Sequence, residues 1–171
     1  VKNVSGVTTF KMYLQTPAYT DLPEKNVGVG RIENVLFENV TADTSSPVDK
    51  QPNYLNGDPV TGNFATFEIG SNVKNMRLLN VRVKLDRKKY PNSYLITVGP
   101  KSQYIKEKRL ELFDPYVSAT AENISYAEVF INGELTDDLS PFVKEVGFDN
   151  LYPSLTPFGK GRIISLFKEN K

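Results

Sequence analysis

The feature that most narrows what this chain can become is a nine-residue phrase that keeps returning. It stands as Ile32-Glu33-Asn34-Val35-Leu36-Phe37-Glu38-Asn39-Val40 and again as Val73-Lys74-Asn75-Met76-Arg77-Leu78-Leu79-Asn80-Val81. Further copies read Ala121-Glu122-Asn123-Ile124-Ser125-Tyr126-Ala127-Glu128-Val129 and Val143-Lys144-Glu145-Val146-Gly147-Phe148-Asp149-Asn150-Leu151. A half copy, Val1-Lys2-Asn3-Val4, opens the chain. Each copy runs apolar, charged, Asn or Glu, apolar, any residue, bulky apolar, any residue, Asn or Glu, apolar.

The physics of the phrase is that of a strand between corners. Side chains two apart on a strand share a face, so Val35 looks the same way as Phe37. The pairs Met76 and Leu78, Ile124 and Tyr126, and Val146 and Phe148 behave alike. Asn34, Asn39, Asn75, Asn80, Asn123 and Asn150 suit tight turns, because Asn accepts left-handed backbone and its amide bonds locally. Stacked copies then place like above like, with an amide ladder at a corner and an apolar column inside. The copies start 41, 48 and 22 residues apart. A coil of about 22 residues, with the longer steps counted as two coils plus loops, falls in the solenoid range. The expected class is all-β, a right-handed single-stranded parallel β-helix with long loop insertions.

Composition agrees with a globular chain. At 171 residues with 39% hydrophobic and 11% aromatic content, one domain with a sizeable core is expected. Strand-favouring residues are spread evenly and nothing reads as a long amphipathic helix. No apolar run reaches membrane-spanning length. Val1 stands in mid-phrase without a starting Met, which carries the expectation of a mature, trimmed or excised piece, and the absence of Cys is compatible with a secreted or cell-surface bacterial protein. Cys and His are both absent. That excludes disulfides, Cys/His metal sites, and Ser-His-Asp or Cys-His catalysis within the chain. No metal and no cofactor are expected. The carboxylates Asp43, Asp49 and Asp58 are too irregularly spaced for a calcium loop.

Taken in order, strands are expected at Val4–Val7, Phe10–Leu14, Val27–Val40, Phe64–Ile69, Tyr94–Val98 and Arg162–Phe167. Loops are expected over Thr44–Asn63, Arg87–Ser93 and Pro153–Lys160, and Asn132-Gly133 reads as a turn. Residues 101–118 could hold a short helix. Charge is segregated: Arg82–Arg109 holds nine basic residues against two acidic, whereas Leu110–Asn150 holds nine acidic against Lys144 alone. Such asymmetry marks either an anionic partner or two solvated faces joined by salt bridges. Asn3, Asn39 and Asn123 fit the glycosylation acceptor pattern, but their corner positions explain them as turn residues.

The phrase, its Asn corners and the closing Gly159-Lys160-Gly161-Arg162-Ile163-Ile164 resemble right-handed parallel β-helices of the pectin-lyase-like kind. The similarity is to the C-terminal coils of polygalacturonase-type glycoside hydrolases, through segments such as Gly30-Arg31-Ile32-Glu33-Asn34-Val35. That resemblance implies hydrolysis of α-linked uronate polysaccharide with inversion, by carboxyl groups about 6.5–9.5 Å apart. The family's motifs, Asn-Thr-Asp, Asp-Asp, Gly-His-Gly and Arg-Ile-Lys, are not assembled here. Asp137-Asp138 is the sole Asp-Asp pair and reads as a solvated turn. Arg31-Ile32 continues into Glu33 and Arg162-Ile163 into Ile164.

The expected function is therefore the C-terminal portion of a polygalacturonase-like enzyme acting on acidic polysaccharide, with catalytic residues unassigned and no activity from this chain alone. A non-enzymatic adhesin or phage tail-spike is the alternative; a β-sandwich carbohydrate-binding module would not need the phrase. Tyr54, Arg87, Lys88, Lys89 and Tyr90 are the expected polysaccharide-binding residues, with rings to stack and cations to meet uronate carboxylates. Neither nucleic acid nor membrane is expected as a partner. Association through open solenoid ends, or with missing N-terminal chain, is expected because unpaired strand edges invite pairing.

Overall fold

A computed structural model describes residues 2–7, 12–14, 31–45, 64–70, 72–99, 119–146 and 161–169. Eleven strands run through them: β1 (Lys2–Val7), β2 (Met12–Leu14), β3 (Arg31–Asp43), β4 (Phe64–Ile69), β5 (Asn72–Lys84), β6 (Ser93–Val98), β7 (Thr120–Ile131), β8 (Glu134–Leu135), β9 (Val143–Glu145), β10 (Arg162–Ile163) and β11 (Leu166–Lys168). One sheet has the order β1-β3-β5-β7, with β10, β11 and β8 sharing the far edge of β7; the other is β2-β4-β6-β9. All pairings are parallel except the β7–β8 hairpin. From β1 to β7 the chain alternates between the sheets, strand by strand. The protein is thus all-β and dominated by parallel pairing.

The long strands β3, β5 and β7 are bent twice, and the bends are written in the phrase. Asn34 and Asn39, Asn75 and Asn80, and Asn123 and Glu128 all have φ between 49° and 58°. A left-handed residue breaks the pleat, so the inward residues before and after it stand three apart instead of two. On β5 the buried set is Val73, Met76, Leu78, Val81 and Val83, with steps of two inside a segment and three across each Asn. Asn tolerates this backbone better than other side-chain-bearing residues. The phrase is therefore three short strand segments hinged at fixed corners.

Register then builds columns. Ile32, Val73, Ala121 and Ile163 are successive partners, as are Val35, Met76, Ile124 and Leu166. Phe37, Leu78 and Tyr126 form a third column, and Val40, Val81 and Val129 a fourth. Met76, Leu78, Val40, Val81 and Val129 are wholly buried, each such side chain contributing roughly 1.5–3 kcal/mol. The second sheet closes the core from the opposite side: the Phe37 and Phe67 ring centroids lie 4.8 Å apart, edge to face. Thr66, Glu68, Ser93 and Thr97 are buried too, so β4 and β6 are shielded on both faces, as is usual for parallel strands.

Two amide ladders run along the corners. Asn123 Nδ2 donates to Asn75 Oδ1 at 3.0 Å and Asn75 Nδ2 to Asn34 Oδ1 at 2.9 Å. Asn80 donates to Asn39 at 2.8 Å and Asn39 to Asn3 at 2.9 Å. Ser165 Oγ ends the first ladder on Asn123 Oδ1 at 3.2 Å. The second stops at Glu128, which keeps the left-handed φ of 56° without an amide to donate. Replacing Asn75 by Ala should remove both of its ladder bonds and force alanine into left-handed backbone. The expected loss is about 2 kcal/mol in urea unfolding. Asn75→Gly should recover about half of it, because glycine restores the backbone but not the amide. Equal losses for the two variants would show that the corner conformation contributes nothing.

Three expectations are corrected by the register. Successive rungs of the first sheet are offset by 36, 41, 48 and 42 residues, so the 41- and 48-residue steps are each one circuit through both sheets and not two coils of about 22. Val146 does not join the column of Val35, Met76 and Ile124; it follows β9, which pairs with β6 in the other sheet, and Leu166 takes that place. The opening half copy stacks one corner later than its wording suggests, with Lys2 opposite Glu38 and Asn3 bonded to Asn39. In each case the local pattern recurs, but pairing is decided by which segments the loops deliver side by side.

The Asn132-Gly133 turn is as expected: φ is 54° and 89°, and Ile131 pairs with Glu134 across two residues. The loop residues 46–63 with Tyr54, Asp49 and Asp58, the stretch 101–118 with its expected helix, Gly147–Leu151 of the fourth phrase and the 153–160 loop lie outside the described residues.

Candidate functional site

Because inward positions are used by the core, function on this scaffold belongs to the outward positions, and register sorts these into stripes. On the first segment Glu33, Lys74 and Glu122 are neighbours, with Lys74 Nζ 2.9 Å from Glu122 Oε1. On the middle segment Leu36, Arg77, Ser125 and Phe167 align. Arg77 meets Glu169 with two parallel bonds of 2.7 Å, and Ser125 Oγ adds a third at 2.8 Å. Glu38 on the same segment is held by Lys2 at 2.6 Å.

The third segment is built differently. Thr41, Arg82 and Phe130 are successive partners, and Phe130 pairs with Leu135 of β8. The Arg82 guanidinium carbon lies 3.9 Å from the Phe130 ring centroid. Lys84, two residues along, stands 3.8 Å from Asp43, a loose contact with the lysine side chain 72% exposed. Among the described residues no carboxylate pairs with Arg82.

Four of the five expected binding residues are described. Arg87, Lys88 and Lys89 form an exposed turn. Arg87 is anchored there, donating to Pro141 O at 3.1 Å with its guanidinium 5.5 Å and 5.4 Å from the Tyr94 and Phe142 rings. Lys89 Nζ lies 5.2 Å from the Tyr90 ring, and its backbone N–H donates to Asp86 Oδ1. Tyr90 is only 8% exposed, so it offers solvent little ring face. The fifth residue, Tyr54, lies outside the described residues. Asp137 and Asp138 are exposed, as expected of a solvated turn; Asp137 pairs with Lys168 and Asp138 accepts from Ser140 N–H at 2.8 Å.

Three carboxylates are set to hold charge. Hydrogen bonding from Arg77 keeps Glu169 below the usual carboxylate range against the opposing effect of burial, helped by Ser125. The Ser45 side chain lowers Asp43, and Ser140 lowers Asp138. A general acid at neutral pH needs the opposite shift, so these three are anionic anchors. Groups whose folded pKa is depressed stabilise the fold at pH above their unfolded values and lose that contribution as pH falls through the folded ones. Thermal stability should therefore hold from neutrality to roughly pH 5 and decline below it. Glu169→Gln should flatten part of that decline while lowering the neutral-pH Tm by a few degrees at most, as for an exposed pair. An unchanged acid limb in the variant would remove the Arg77 pair from the explanation.

Among the described residues no group of three or more acidic side chains is placed to hold a metal ion, and no helix is long and apolar enough to cross a membrane. Compared with known proteins, the chain matches no family model, no curated protein and no solved structure. The residues that sequence reasoning passed over are Arg82 and Phe130. Arg82 entered only as one of nine basic residues, and nothing local links it to a ring 48 positions away. An outward Arg two residues before an outward Lys on the same strand was the available signal.

Proposed function

We propose that the two parallel sheets are the walls of a right-handed parallel β-helix, and that the protein binds an acidic polysaccharide along its outer face. The proposed parent activity is a polygalacturonase-type glycoside hydrolase, of which this chain carries C-terminal coils without a complete catalytic set. The observation that supports this most is the combination of strand-by-strand alternation between sheets with in-register columns and amide ladders. Outward residues then repeat at the strand spacing of about 4.8 Å, which gives a straight, ridged surface suited to a linear polymer. Exposed cations at Arg82, Lys84, Lys88 and Lys89 supply the charge for uronate carboxylates.

The alternative, an adhesin or tail-spike that only displays a surface, is favoured by the outward carboxylates Glu38, Glu122 and Glu169, each held by a cation. Titration with oligogalacturonate together with reducing-sugar release from polygalacturonate tests the polysaccharide binding that both readings share. Binding without sugar release is expected from these 171 residues; absence of binding to any polysaccharide would remove the carbohydrate reading.

A further inference from the structure

We infer that Arg82, held over the Phe130 ring and assisted by Lys84, is a carboxylate-recognition site for the uronate units of that polysaccharide. This rests on the polysaccharide reading and says where on the outer face the acid groups are read. Three observations carry it. First, two other outward arginines of this sheet are taken by carboxylates, Arg77 by Glu169 and Arg31 by Glu33 at 2.7 Å, while the exposed Arg162 of β10 has neither a carboxylate nor a ring against it among the described residues. Arg82 has no carboxylate partner among the described residues, although it is exposed. Second, its guanidinium is held over the ring at 3.9 Å. Contact with the ring removes much of the freedom an exposed arginine would otherwise lose on binding. A planar fork so held matches a carboxylate with two parallel bonds, which a lysine cannot do.

Third, the surroundings fit a sugar and not only an anion. Thr41, Arg82, Phe130 and Leu135 lie on four adjacent strands, a stripe about 14 Å long at the strand spacing. Leu135 is 55% exposed beside the ring, so an apolar strip continues from the cation. The C–H face of a pyranose rests on such a strip while its carboxylate reaches the guanidinium. Lys84 points the same way as Arg82, being two residues on, and its contact with Asp43 is loose enough to release.

The test is titration of wild type, Arg82→Gln, Arg82→Lys and Lys88→Ala/Lys89→Ala with oligogalacturonate, its methyl ester, poly-glutamate and single-stranded DNA. Near-ultraviolet circular dichroism and Tm of each variant serve as the fold control. Arg82→Gln should weaken oligogalacturonate binding roughly tenfold or more at unchanged Tm. Arg82→Lys should recover only part, and the methyl ester should bind weakly to wild type and to Arg82→Gln alike. Wild-type affinity in Arg82→Gln, with loss in the lysine double variant, would overturn this inference and leave the polysaccharide reading standing. Equal wild-type affinity for acid and ester would overturn it also, since the carboxylate would not be read. Arg82-dependent binding of poly-glutamate or DNA as tight as that of the sugar would overturn the sugar assignment. No binding of any saccharide by wild type would overturn the inference and the reading together.

Discussion

Leu78→Ala should lower the unfolding free energy by about 2–5 kcal/mol. Leu78 is wholly buried between Phe37 and Tyr126, its partners in register on β3 and β7. Removing its branched end leaves a void with a neighbour on each side of the column, and Phe37 is itself fixed by its edge contact with Phe67 from the other sheet. The backbone around the void is locked by parallel pairing along eleven registered positions of β3 and nine of β7, so it can collapse only partly. A domain of this kind has only about 5–15 kcal/mol to lose, so the variant should show a large drop in urea midpoint with an unchanged slope. A loss below about 1 kcal/mol would mean that the column is not closely packed, and the stacked-rung account would fail with it.

Gly161→Ala should be comparably severe for a different reason. A Cβ added at Gly161 would lie 1.7 Å from the carbonyl oxygen of Val98 and 2.3 Å from its carbon. Both are backbone atoms of β6, whose neighbour Gly99 is itself bonded to Ile69 O, so neither can step aside cheaply. The final rung must move instead, and several contacts depend on its position. Ile163 N–H bonds Glu145, Ser165 ends the Asn123 ladder, Leu166 covers Ile124, and Glu169 holds Arg77. The expected cost is about 3 kcal/mol, at or above the upper end for overpacking, with residues 161–169 becoming the first site of proteolytic cleavage. Because that rung carries Glu169, the variant should also lose part of the acid-limb dependence described for the Arg77 pair. Wild-type Tm and wild-type protease resistance in Gly161→Ala would show that the chain does not pass this close to β6.

How much of this was legible in the sequence differs by element. The inward pairs and corner asparagines of the first three phrases and the Asn132-Gly133 hairpin were readable, because each is set by residues within a few positions of one another. Glu128 occupying an Asn corner was visible as the phrase's own "Asn or Glu", but its breaking of the ladder was not, since the ladder exists only between rungs. The period was misread for a physical reason: lengthening a loop costs little closure free energy, so rungs 36 to 48 residues apart can stack equally well. Tyr90 read as a ring for stacking because aromatic residues beside basic ones suggest a ligand, yet its ring is packed away, while Phe130 lies under the Arg82 guanidinium.

The sequence by itself determined which short segments are strands, which side of each faces the core, and where the backbone turns left-handed, since these follow from side-chain alternation and from what Asn and Gly permit locally. The tertiary structure alone decided which segments lie side by side: that Leu166 and not Val146 continues the Ile124 column, and that Arg82 rests on Phe130 while Arg77 is taken by Glu169. Those partners stand 42 to 92 residues apart along the chain, and contacts across such a distance are fixed by register and closure, which no local pattern records.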